Sequence, residues 1–289
     1  MKKFALTTLS LFTLLCAPGA ARQDAVTDVP FTMEKGHVIV PATIKGGTPV
    51  EVILSTGARH SLIQVGLLDK YKLPAYYAAE GIVTGHNDRT YSFTSVSNVR
   101  VGTASEDLHL RYSEALAAIS QRVGREIFAS LGADYFKGRV VQFDFARKVV
   151  RFLPRRPEGG KGGGSAVLRM RPSAEPLRRP ITEDVTVGGK KLKTLFDTGA
   201  LTAVSLTPSA AKQVGLTAPP PKSAARTEKL GSLRLGEVEF NDVPVMLHAK
   251  DSDFDRSSDG FGAVVGVAVL QNFVVTFDFR DGVILLERI

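Results

Sequence analysis

Disulfide bonding is closed to this chain, because Cys16 is its one cysteine and has no partner to oxidise with. Tryptophan is absent and histidine occurs five times, with no His, Cys and carboxylate cluster at metal-ligand spacing, so neither a metal nor a cofactor site is expected. The apolar run from Phe4 to Ala17 is shorter than the roughly 20 residues that span a bilayer. With Lys2 and Lys3 before it and small residues at Gly19 to Ala21 after it, the run has the three parts of a secretory signal covering 1–21. No stable membrane insertion is expected once it is removed. A lipid anchor at Cys16 is the alternative, against which stands the bulky Leu15 before it. The expected location is therefore periplasmic or extracellular, where a chain without disulfides depends on its hydrophobic cores. Net charge is +8, or +6 without Lys2 and Lys3. These cations are scattered and not interleaved with aromatic residues, which argues against a nucleic-acid partner.

What the chain does have is an internal repeat. "STGA" at 55–58, "VRVG" at 99–102, "ASLGADYF" at 129–136 and "VVQFDF" at 140–145 recur in order as "DTGA" at 197–200, "LRLG" at 233–236, "AVVGVAVL" at 263–270 and "VVTFDF" at 274–279. Gly102 to Gly132 is 30 residues and so is Gly236 to Gly266. Ser55 to Gly102 is 47 residues against 39 from Asp197 to Gly236, so the second copy lacks eight residues there. "PRRPEGGKGGGS" at 154–165 reads as flexible linker. The expected organisation is an N-terminal lobe over 30–153, a Gly/Pro-rich linker over 154–177 and a C-terminal lobe over 178–289. Short β-branched runs separated by Gly, Asn and Asp predict mostly strands. A helix is expected over 207–216, with Thr207 as cap, Pro208 in the first turn and Gly215 at the end.

An apolar strand running into Asp197-Thr198-Gly199 can hold a carboxylate beside a tight turn, with the threonine hydroxyl free to bond across to a neighbouring loop. The triplet alone is a weak signal, and it gains weight from the related loop Ser55-Thr56-Gly57 and the landmarks downstream. On these residues the chain resembles the aspartic peptidase superfamily, which includes pepsin-like enzymes and retropepsins. The resemblance covers almost the whole chain after the signal. It implies an all-β, bilobed acid-protease fold, two tandem β-barrel-like lobes with a few short helices. It also implies a peptide or protein substrate, with Asp197, Thr198 and Gly199 as the catalytic loop and "VVG" at 264–266 as its backing. Ser55, Thr56 and Gly57 form the degenerate partner loop, backed by "SLG" at 130–132. The eight extra residues fall in "EGIVTGHNDRTYSF" at 80–93, which reads as a hairpin and is assigned as the flap, with Gly85, His86, Asn87 and Asp88 at its tip over substrate.

The departure at Ser55 leaves three readings open. Two facing carboxylates share a proton, so that one activates water and the other donates to the substrate carbonyl; a serine hydroxyl can do neither near neutral pH. The chain is then an aspartic endopeptidase resting on Asp197, or a pseudopeptidase that binds extended peptides. In the third reading, two copies form a homodimer that brings their Asp197 side chains together. Ser55 as a serine nucleophile lacks a base, Ser61 and Ser205 lack a motif, and His60 and His86 read as structural or exposed. Asp144 and Asp278, each between two phenylalanines, read as structural.

Overall fold

The computed structural model describes residues 26–77, 92–159, 164–172, 177–256 and 260–289. The signal expected over 1–21 lies outside them. So does the flap expected over 80–93, apart from Ser92 and Phe93, and with it Gly85, His86, Asn87 and Asp88. At the border of that segment, Tyr76 and Tyr77 pair antiparallel with Phe93 and Ser92.

Strand is the predominant element of the described chain, arranged in three sheets. The first half forms an eight-stranded sheet, its order running from Thr32–Glu34 to Tyr76–Tyr77, closed on itself by a bridge between Thr43 and Arg100. The second half forms another eight-stranded sheet, its order running from Ile181–Thr182 at one edge to Lys190–Lys191 at the other, without such a closing bridge among the described residues. Alternation explains the strands. In His37–Ile44, Val38, Val40, Ala42 and Ile44 enter the main core, while Ile39 faces the other way. Ile39 and Ile53 are covered by the helix Ala115–Val123 through Leu116. In the second half Phe196 enters the main core, and Leu195 and Val264 form a small outer cluster with Phe261.

A six-stranded sheet joins the halves. Its order is Val29–Pro30, Val149–Leu153, Val140–Asp144, Phe273–Asp278, Val283–Arg288 and Ser165–Arg169, three strands from before residue 154 and three from after it. Ser165–Arg169 lies inside the stretch expected to be linker. Its Val167 is exposed while Ala166 and Leu168 are buried, and this alternation was overshadowed by the neighbouring glycines. At the centre of the sheet Val140–Asp144 pairs antiparallel with Phe273–Asp278, and Gln142 stands opposite Thr276. These two are equivalent positions of the repeat, so an approximate two-fold axis passes between them. Gln142 donates to the Thr276 hydroxyl at 3.1 Å on that axis.

Asp144 and Asp278 are buried and serve the turns that follow them. Asp144 accepts the N–H of Arg147 at 2.9 Å, and Asp278 those of Arg280 and Asp281 at 3.1 and 2.9 Å. Gly102 and Gly236, at equivalent places in the two long hairpins, have φ of +56° and +60°, the left-handed region that glycine reaches without strain. The helix expected over 207–216 spans Pro208–Gln213. Thr207 caps it by accepting from the N–H of Ala210 at 3.3 Å, and Gly215 follows at φ +79°.

Candidate active site

The strand Thr194–Asp197 runs parallel to Ala263–Gly266, with Asp197 opposite Gly266. Its counterpart Thr48–Leu54 runs parallel to Ala129–Leu131 and ends just before Ser55. Beyond each strand the chain turns over its backing glycine. Ala133 donates to the Ala58 carbonyl at 2.8 Å, and Val267 to the Ala200 carbonyl at 2.8 Å. The fit explains the backing glycines. A Cβ on Gly132 would fall 2.9 Å from the Ala58 oxygen, and one on Gly266 2.5 Å from the Ala200 oxygen. In the first half Asp134 tightens the turn further, taking the N–H and hydroxyl of Ser61, whose Oγ accepts from Gly132 at 2.9 Å.

The two loops meet tip to tip, and the threonines cross. The Thr56 N–H donates to Thr198 Oγ1 and the Thr198 N–H to Thr56 Oγ1, each at 3.1 Å. Each hydroxyl then donates across to the strand of the other loop, Thr56 to the Phe196 carbonyl at 3.1 Å and Thr198 to the Leu54 carbonyl at 2.7 Å. Both threonines are fully buried, so four backbone groups that would otherwise be unsatisfied are paired here.

Above this crossing Ser55 faces Asp197. The Ser55 hydroxyl donates to Asp197 Oδ1 at 3.0 Å, and the same oxygen accepts the N–H of Gly57 at 3.0 Å and of Gly199 at 2.7 Å. Three donors on one oxygen fix the carboxylate in place. The glycines are required by the approach of the loops: a Cβ on Gly57 would lie 2.5 Å from Asp197 Cβ, and one on Gly199 would lie 2.7 Å from Ser55 Cβ. Asp197 is partly exposed and Ser55 is buried.

Six of the expected residues, Ser55, Thr56, Gly57, Asp197, Thr198 and Gly199, are thus brought into one cluster. One neighbour was not expected. Arg179, before the strand Ile181–Thr182, donates from Nε to the carbonyl of Gly57 at 2.8 Å, with its guanidinium 5.4 Å from the Phe261 ring centre. Only the pairing of that strand with Thr194–Asp197 reveals its place, since the sequence shows an arginine 18 positions before Asp197 and no motif. Among the described residues no group of three His, Cys, Asp or Glu is placed to hold a metal ion.

Residues 183–260 match the family described as aspartyl protease. No curated protein matches the sequence. Among solved structures, the fold is similar to that of the aspartic proteinase from Irpex lacteus, with a TM-score of 0.53 at 12% identity, over 91% of this chain and 97% of that one.

Proposed function

We propose, for a chain that belongs to the aspartic peptidase superfamily, that it is an exported endopeptidase working with one carboxylate, Asp197. The observation that carries this reading is the complete cross-bonding of the two loops around Asp197 Oδ1. Such an arrangement holds the carboxylate ready, with its second oxygen as the group to take a proton from water attacking a peptide carbonyl. The extended substrate would lie over the loops, with 80–93 as its flap.

What the site lacks is the proton donor to the carbonyl oxygen. The Ser55 hydroxyl already donates to Asp197, and its own acidity is too low for the task. General acid catalysis contributes on the order of 10²- to 10⁴-fold, so the wild type is expected to cleave slowly. Ser55 at this position is also what favours the second reading, a protein that binds peptides without cutting them. A dimer that pairs two Asp197 side chains is disfavoured, because it requires the Ser55 loop to leave and the threonine crossing to break.

The test is cleavage of a diverse peptide library from about pH 3 to 8 by the wild type and by Asp197→Asn. Slow cleavage that disappears in the variant supports the endopeptidase. No cleavage by folded protein, with retained peptide binding, supports the second reading. Export is checked separately by sequencing the N-terminus of protein recovered outside the cytoplasm.

A further inference from the structure

Gly57 brings its N–H to Asp197 from the other half of the chain, and it has no side chain to hold that pose. The approach of the loops forces the lack, because a Cβ there would lie 2.5 Å from Asp197 Cβ. The same lack leaves its backbone free to rotate, so the direction of its N–H depends on what it bonds to. The two loops differ in this respect. The Gly199 N–H finds Asp197 Oδ1 two residues away on its own loop. In the same place relative to Gly57 stands Ser55, whose hydroxyl is itself committed to Asp197, and the Gly57 N–H bonds across to the opposite half.

Arg179 supplies a second hold on Gly57, with Nε donating to its carbonyl at 2.8 Å. It belongs to the half that carries Asp197, and the link between the two is short. Arg179 precedes Pro180, whose carbonyl accepts the Phe196 N–H at 2.9 Å, and Ile181 pairs antiparallel with Leu195. Arg179 and Asp197 thus stand at the same end of two paired strands and grip Gly57 at its carbonyl and its N–H. Behind the guanidinium is the ring of Phe261, buried in a cluster with Leu195 and Val264, with Phe254 set edge-on at 6.0 Å. The equivalent position in the first half makes no such hold. By the offset of 142 that relates Ser55 to Asp197 and Ile39 to Ile181, the counterpart of Arg179 is His37, and neither of its ring nitrogens has a hydrogen-bond partner.

We propose that Arg179 is a positioning residue of the site: by holding the Gly57 carbonyl it keeps the Gly57 N–H on Asp197 Oδ1, and so keeps the carboxylate in one orientation. It acts through Gly57 rather than on substrate. The bond is the working part and not the charge, since a carbonyl at that point needs a donor. In its consequence for turnover the inference rests on the endopeptidase reading, while the hold on Gly57 can be read without it.

Two variants separate the bond from the rest of the side chain. Arg179→Gln keeps an N–H donor at the same number of bonds from the backbone as Nε, and Arg179→Met keeps the length and loses the donor. The first readout is NMR of the labelled protein without substrate, following the carbonyl carbon, the amide proton and the amide exchange of Gly57. In Arg179→Met the carbon should shift, the proton should move to lower frequency, and exchange should quicken about five- to tenfold, the size of one net hydrogen bond. Arg179→Gln should stay close to the wild type in all three. An arginine that merely braces the loop would move the carbon alone, so an unmoved Gly57 amide in folded Arg179→Met overturns the inference. Should that variant not fold, Arg179→Gln decides, since a displaced Gly57 amide there overturns it. The second readout is peptide cleavage by the same proteins. A fall of about five- to tenfold in kcat for Arg179→Met at little changed KM, restored by Arg179→Gln, supports the inference. A raised KM at unchanged kcat places Arg179 on the substrate and overturns it. Where the Gly57 amide responds as expected and the wild type cleaves no peptide, the positioning stands and the endopeptidase reading falls.

Discussion

At the scale of single residues, Ser55 decides how much chemistry the site can do. Ser55→Asp places a second carboxylate against Asp197, and like charges at this distance cannot both ionise, so the pair shares a proton. A rise of about 10²-fold or more in peptide cleavage is expected, with a bell-shaped pH dependence in the acid range, measured as initial rates against pH. An unchanged rate in a folded variant would remove the missing acid as the reason for slow turnover. The glycines are less forgiving. Gly57→Ala forces a methyl into the Asp197 side chain, and a loss of about 1–3 kcal/mol is expected in urea unfolding, the usual cost of overpacking.

Among the elements, the crossing of Thr56 and Thr198 ties the ends of two strands from opposite halves. Thr198→Val keeps the volume but strands the Leu54 carbonyl and the Thr56 N–H in a dry place. Each unsatisfied buried group costs about 1–3 kcal/mol, so a drop of about 2–4 kcal/mol in urea stability is expected. Thr56→Val should cost a similar amount, because its bonds are the mirror of these. This symmetry was legible only in part: "STGA" and "DTGA" announced two related loops, but which hydroxyl reaches which carbonyl depends on how the strands are placed. The cap of Pro208–Gln213 was readable outright, since Thr-Pro carries its own local geometry.

For the whole molecule, pH acts through histidines that folding removes from water. Burial, and for His37 also the charge of Arg122, holds the pKa of His37 below its ordinary value; burial does the same for His248, which stacks on Phe254 with ring centres 3.9 Å apart. A lowered histidine pKa means that the unfolded chain binds the proton more readily. Stability is then fully present above the unfolded value near 6.5 and is lost as pH falls from there through the folded value. Urea midpoints should decline from pH 7 to pH 5, and His37→Leu should flatten part of that decline. Glu126 adds a second loss at lower pH: Lys70 and Tyr71 hydrogen-bond its carboxylate and outweigh burial, so its pKa lies below the usual range. An invariant midpoint across pH 5 to 7 would mean that neither histidine is kept from protonation by the fold.

From sequence alone came the repeat, the β-rich composition, the carboxylate at Asp197 and its absence at Ser55. All of these are carried by local pattern and by the register between two copies. The tertiary structure decided that Ser165–Arg169 is an edge strand rather than linker, because a five-residue strand gains its identity from the partner Val283–Arg288. It also decided that Ser55 donates to Asp197 Oδ1, and that Arg179 stands at the Gly57 carbonyl. Those contacts join residues more than a hundred positions apart, and no local preference encodes them. They exist because the two halves share one central sheet, whose two-fold places the loop tips face to face.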